Sequence, residues 1–185
     1  MQLPHFAYIG YAAINYTLIN AGNPSNTPRG VSYYDTFNSG VLTFLPETSL
    51  YTPLPGYVTD TGPIPTNLST TSVRLVDGGD YFKFLAPSTL ALDSTAAGFS
   101  EAGNLVHFRA AGFIRIQDSL SMILQGKGNG SMKFGETDFW EPITVDTGDA
   151  ALKWLNFRVI ISQGRVLVDK GKAYGIELRL WSPVN

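Results

Sequence analysis

Apolar and polar residues alternate with a period of two along much of this chain, the spacing of a β-strand with one face against a core. The clearest case is Gly103–Gln117. Val106, Phe108, Ile114 and Ile116 take the even positions, and His107, Arg109, Arg115 and Gln117 take the odd ones with Leu105 and Phe113. One face is aliphatic and aromatic, while the other sets two arginines and a histidine among apolar neighbours. A strand of this kind fits a small barrel whose lumen holds something polar. If Gly112 is a bulge, the alternation resets there and Arg115 leaves the face of His107.

Other stretches repeat the pattern. Residues 6–19 predict a strand that Gly10 could break. Val31–Phe37 and Val41–Leu45 predict two short strands around an Asn38-Ser39-Gly40 turn. Ser72–Val76 and Tyr81–Leu85 flank a turn or bulge at 77–80, and Leu90–Ser94 follows. Ser119–Gln125 predicts a strand ahead of a glycine-rich loop at 126–130. That loop lacks the Gly-Lys-Ser/Thr ending of a phosphate-binding loop. A helical turn over 150–153, capped by Asp146 or Thr147, precedes a strand at 155–162, a turn at 163–165 and a closing strand at 172–181. Residues 46–71 carry prolines at 46, 53, 55, 63 and 65. They read either as a lid over a pocket mouth, with Tyr51 and Tyr57 as its cover, or as a surface excursion. About ten short strands separated by turns predict an all-β fold, a single antiparallel barrel of about 8–10 strands with one or two helical turns, spanning 1–185 as one domain.

Composition narrows the function classes. Charged residues make up 15% of the 185 residues, and the net charge is −2 without a basic run. A nucleic-acid surface is therefore not expected. No apolar stretch reaches the length of a membrane span, and the N-terminus lacks the charge and apolar core of a signal peptide, so an intracellular, cytoplasmic protein is expected. Cysteine is absent and the histidines are His5 and His107. That excludes thiolate chemistry and a three-histidine metal site; no metal and no cofactor are expected.

Five short motifs then occur in a recognisable order: Gly78-Gly79-Asp80-Tyr81, Leu90–Asp93, Gly103–Gly112, the aromatic and acidic segment Phe139–Asp146, and Trp154-Leu155-Asn156, with Tyr174 on the final strand. Over about residues 72–181 this order resembles a domain-of-unknown-function family of small bacterial and fungal β-barrels. Tyr81 stands where that family usually has Trp, and the Gly-Gly-x-Asp spacing is one residue short. The resemblance implies a calycin-like or allene-oxide-cyclase-like barrel and supplies no reaction.

The candidate site residues follow from the motifs and the mixed strand face. Asp80, aimed inward by the preceding glycines, could act as a general acid or base in an apolar lumen, or could simply cap a turn. His107, beside arginines, could act as a neutral base, or could pack against the wall. Arg115 could bind an oxyanion or pair with Asp80. Tyr81, Trp140, Trp154 and Asn156 could line a substrate, with Trp154 and Asn156 alternatively a core ring and a capping amide. Glu177 and Arg179 are expected on a solvated outer face, near Arg158 or Asp169. No nucleophilic triad is readable. The expected function is a cofactor-independent cyclase or isomerase, of proton-transfer or pericyclic type, acting on an apolar natural-product-like substrate. The alternatives are a lipocalin-like binding protein for a small apolar ligand, and a structural protein that forms homo-oligomers.

Overall fold

A computed structural model describes residues 5–27, 30, 32–51, 64, 68–86 and 88–184. Among them run eight strands: β1 (His5–Asn20), β2 (Tyr33–Phe44), β3 (Thr71–Ala86), β4 (Thr89–Ser100), β5 (Leu105–Arg115), β6 (Phe139–Thr147), β7 (Ile160–Asp169) and β8 (Lys172–Val184). One helix, α1, spans Asp118–Leu124, and 3-10 turns occupy Pro24–Asn26, Glu47–Leu50 and Lys153–Phe157. Each strand pairs antiparallel with the next, and β8 pairs back onto β1, which closes the barrel. Closure leaves no unpaired sheet edge for these apolar strands. Most of the Pro-rich stretch, including Tyr57, lies outside the described residues.

Alternation decides which side chains enter. On β6, Phe139, Glu141, Ile143, Val145 and Thr147 are buried, while the residues between them are exposed. On β5 the even positions Val106, Phe108 and Ile114 are buried. Two bulges reset this rule. In β2, Asn38 is an extra residue between the pairs Asn15–Ser39 and Tyr16–Phe37. In β3, Val76 is extra between Leu75–Gly98 and Asp77–Ala97. An extra residue in one strand flips every later side chain to the other face. Asp35 before the β2 bulge, and Asp80 and Phe82 after the β3 bulge, are therefore buried, with Leu42 and Leu75 buried on the other side of each bulge at the opposite parity.

These bulges also join what the sequence reads as separate strands. The Asn38-Ser39-Gly40 turn is a bulge within one strand, and so is the break expected at 77–80. The turn expected at 163–165 is straight strand, with Gly164 beneath the Phe139 ring. Ser119–Gln125 is helical rather than extended. Leu120 and Ile123 lie three apart and are buried together, a helical spacing in a segment too short to show its period clearly. At 149–157 the chain turns through Asp149, not Asp146: Asp149 accepts the Ala151 N–H at 2.9 Å, and its own N–H donates to Thr147 Oγ1 at 3.1 Å. Among the described residues no helix is long and apolar enough to cross a membrane.

Candidate functional site

One end of the barrel holds a cavity of about 700 Å³. Its walls are mainly apolar, with Phe37, Phe82, Leu92, Ile114, Phe139 and Ile176 from the strands and Leu120 and Ile123 from α1. Its polar groups are of two kinds. Tyr16, Asp35 and Asp80 come from the inner faces of β1, β2 and β3. Asp169, Lys170, Lys172 and Tyr174, all exposed, come from the β7–β8 hairpin at the mouth. Glu141 faces a smaller adjoining void of about 40 Å³ that shares Phe37 and Ile176 with the cavity.

Asp35 and Asp80 stand directly opposite each other on β2 and β3. Two glycines allow that approach. A Cβ on Gly79 would meet the Asp35 carbonyl oxygen at 2.5 Å, and one on Gly78 would meet Phe37 at 2.7 Å. Asp80 is 9% exposed, Asp35 7% and Glu141 3%. Burial in apolar surroundings disfavours the charged form. Desolvation raises Asp80 to about 7, although the Ser94 hydroxyl and the Asp93 N–H (3.1 Å) stabilise its anion. Desolvation and then the neighbouring Asp80 charge raise Asp35 and Glu141 to about 8 each. Asp35 Oδ1 and Glu141 Oε1 are buried without a hydrogen-bond partner. The Tyr16 phenol is pushed well above its ordinary range by desolvation and by Asp35 and Asp80, so it stays protonated.

The set is graded. Asp80 has donors, the Ser94 hydroxyl and the Asp93 N–H, that favour its anion. Its charge then holds protons on Asp35 and Glu141. Burial thus brings all three carboxyls up toward neutrality, beside a phenol that stays protonated. That combination can take a proton at one point and donate hydrogen bonds at others. Among the described residues no group of three or more His, Asp or Glu side chains is disposed to hold a metal ion.

Of the candidate catalytic and substrate-binding residues Asp80, Tyr81, His107, Arg115, Trp140, Trp154 and Asn156, Asp80 alone lines this cavity. His107 is exposed on the outer wall, with Nε2 3.0 Å from Thr95 Oγ1. Arg115 is outside as well, 3.9 Å from Asp138 rather than near Asp80. Tyr81 and Trp140 are half exposed on the outer face, with Trp140 6.0 Å from Trp181. For His107 and Arg115, both on β5, the reason is common. Pairing along β4 and β5 runs through Gly112 without a shift, so the apolar face of β5 turns inward and its mixed face meets water. Burying two arginines and a histidine there would cost far more than burying Val106, Phe108 and Ile114. Trp154 is buried in the core beside Leu155. Asn156 clamps the end of β6, accepting the Thr147 N–H at 3.0 Å and donating to the Thr147 carbonyl at 2.8 Å. Glu177 pairs with Arg165, and Arg179 lies buried over the Phe134 ring at 4.0 Å rather than on a solvated outer face. Arg158 instead donates to Glu47 at 3.2 Å and to Tyr51 at 3.1 Å.

Asp35, Glu141 and Tyr16 were not expected. Glu141 had a readable signal, as the acid in the otherwise apolar alternation Phe139, Ile143, Val145. Asp35, between Tyr33 and Phe37, had the same signal, masked by reading 38–40 as a turn.

Comparison with known proteins adds the family and the fold. The profile of a family described as a protein of unknown function, DUF3237, matches residues 56–182, and the chain belongs to that family. No curated protein matches the sequence. A conserved protein of unknown function from Rhodopseudomonas palustris is similar in structure, with a TM-score of 0.67 and 12% identity over 100% of this chain and 99% of that one. A protein of unknown function from Clostridium acetobutylicum ATCC 824 has a TM-score of 0.63 and 12% identity over 100% and 99%. A β-barrel-like protein from Acinetobacter baumannii AYE has a TM-score of 0.60 and 10% identity over 100% and 98%. At such identities the likeness concerns the fold alone.

Proposed function

We propose that this member of the DUF3237 family is a cofactor-independent isomerase or cyclase that moves a proton within an apolar small molecule bound in the lumen. The observation that carries this reading is the opposed pair Asp35–Asp80 on the wall of an apolar cavity, where burial raises both carboxyls toward neutrality. In an unsaturated ketone, Asp80 takes the proton between the carbonyl and the alkene. Asp35 or Tyr16 donates a hydrogen bond to the carbonyl oxygen as it becomes an enolate. The proton then returns from Asp80 to the far carbon of the former alkene, and the double bond ends in conjugation. Atoms and electrons balance without an oxidant. Donors aimed at a developing oxyanion in a site of low polarity supply the main stabilisation.

The test is conversion of a β,γ-unsaturated ketone, 3-cyclohexenone, to its conjugated isomer, followed by ultraviolet absorbance and by deuterium uptake from heavy water. Wild-type protein is expected to accelerate both. Asp80→Asn is expected to lose about 10²–10⁴-fold, the usual range for a positioned base. Full turnover in Asp80→Asn would remove this mechanism. The apolar walls of the same cavity also favour a lipocalin-like binding protein. Tight binding of the ketone with no isomerisation or exchange would select that second reading.

A further inference from the structure

We infer that the ligand of this lumen is an amphipathic anion that enters body first, with a carboxylate headgroup held at the mouth by Lys170 and Lys172. The inference rests on the lumen being a ligand site, as proposed above, and narrows the apolar molecule of that proposal to one with an apolar body and a charged head outside the lumen.

The cavity is electrically graded along its axis. Its acids, Asp35 and Asp80, belong to the inner wall, and Glu141 faces the void beyond. Lys170 and Lys172 line its exposed rim. The rest of the wall is apolar, with Leu90, Leu92, Ile114, Phe139, Val166 and Ile176. An anionic headgroup carried inward would lose its water and meet carboxyls. At the rim it keeps its water and gains two cations. A hydrocarbon body gains by leaving water for the wall. Both ends of the gradient therefore favour the same orientation, and it places the body against Asp80.

The rim is also a built feature. Asp169 and Lys172 pair across β7 and β8, so Lys170 and Gly171 form a two-residue turn. Both have positive φ, 49° and 80°. Such turns favour Asn, Asp or Gly at the first position, and a lysine there is in a disfavoured conformation. A Cβ on Gly171 would meet the Gly126 carbonyl oxygen at 2.9 Å. The hairpin tip thus rests on the chain leaving α1 and holds Lys170 over the opening. Asp169 lines the same rim. Two lysines against one aspartate leave a positive excess.

Calorimetric titration with decanoate, 1-decanol and decylammonium at low salt tests this. Decanoate is expected to bind severalfold more tightly than decanol, and decylammonium more weakly than either. Reversing both lysines, Lys170→Glu with Lys172→Glu, is expected to weaken decanoate about tenfold, in line with two exposed ion pairs. The same variant should bind decanol as wild type does, which also shows that it is folded. Asp169→Asn is expected to tighten decanoate. Decanol or decylammonium binding as tightly as decanoate would overturn the inference, as would unchanged decanoate binding in the double variant. Those results leave the lumen reading intact. Failure of all three probes to bind would overturn both.

Discussion

Glu141 enters the lumen through the space left by Gly112. A Cβ on Gly112 would meet the Glu141 Cγ at 2.8 Å and the Trp140 carbonyl oxygen at 2.5 Å. The second contact is with backbone, so a methyl there must push β6 away from β5. Gly112→Ala is expected to lower stability by about 1–3 kcal/mol, the usual cost of overpacking, read from urea denaturation. Adding Glu141→Ala should recover part of the loss and not all of it, because the Trp140 carbonyl stays in place. Unchanged stability in Gly112→Ala would show that the two strands separate freely.

The lumen carboxyls make stability fall as pH rises. Asp35 and Glu141 are raised in the fold from ordinary values of 3.8 and 4.5 to about 8. Between those limits the folded chain binds more protons than the unfolded one, so unfolding becomes easier with each step up in pH. The favourable contribution is complete below about pH 4 and lost by about pH 8. Asp35→Asn removes the titration. It is expected to raise the melting temperature at pH 9 by at least about 2–4 °C, equivalent to 1 kcal/mol in a chain of this size, and to change it little at pH 4. An equal effect at both pH values would mean that Asp35 ionises in the fold much as it does in the unfolded chain.

The barrel was legible in the sequence because its strands alternate, and alternation survives on any strand with one wet face. Strand β5 is readable in this way, with Val106, Phe108 and Ile114 on its buried face. The bulges hid the continuity of β2 and β3. Asn38 and Val76 each interrupt a pattern of period two, and an interrupted strand looks like two strands and a turn. The same bulges turn Asp35 and Asp80 inward, so the feature that concealed the continuity of β2 and β3 also positions the site. Asp80 is legible because Gly78-Gly79 let the backbone bend and aim its carboxylate inward. His107 and Arg115 drew attention as polar groups on a strong strand, but alternation alone does not say which face is the lumen. Burial cost decides that, and it favours the aliphatic side of β5.

The outer position of His107 and Arg115 has a direct consequence. His107→Ala and Arg115→Ala are each expected to leave both stability, within about 0.5 kcal/mol, and lumen chemistry unchanged, as exposed substitutions usually do. Parallel measurements of ketone isomerisation and urea midpoint check this. A hundredfold loss of isomerisation in His107→Ala would place the chemistry on the outer wall.

Asp149 is the opposite case, a buried carboxyl held as an anion. It is 2% exposed, and it accepts from the Ser100 hydroxyl at 2.6 Å, Asn104 Nδ2 at 3.0 Å and the Ala151 N–H at 2.9 Å. These donors, Ser100 foremost, hold its pKa below the ordinary aspartate value. The network ties the turn between β4 and β5 to the turn after β6, at the end of the barrel that carries Trp154 and Leu155. Asp149→Ala leaves those donors without their acceptor and is expected to cost about 1–3 kcal/mol at pH 7. The sign with pH is the reverse of that for Asp35. The contribution is present above the unfolded value near 4 and is lost as pH falls through the lower folded value. The stability gap between wild type and Asp149→Ala should therefore narrow toward pH 3, as measured by denaturant midpoints. A gap that widens in acid would show that Asp149 is not held as an anion.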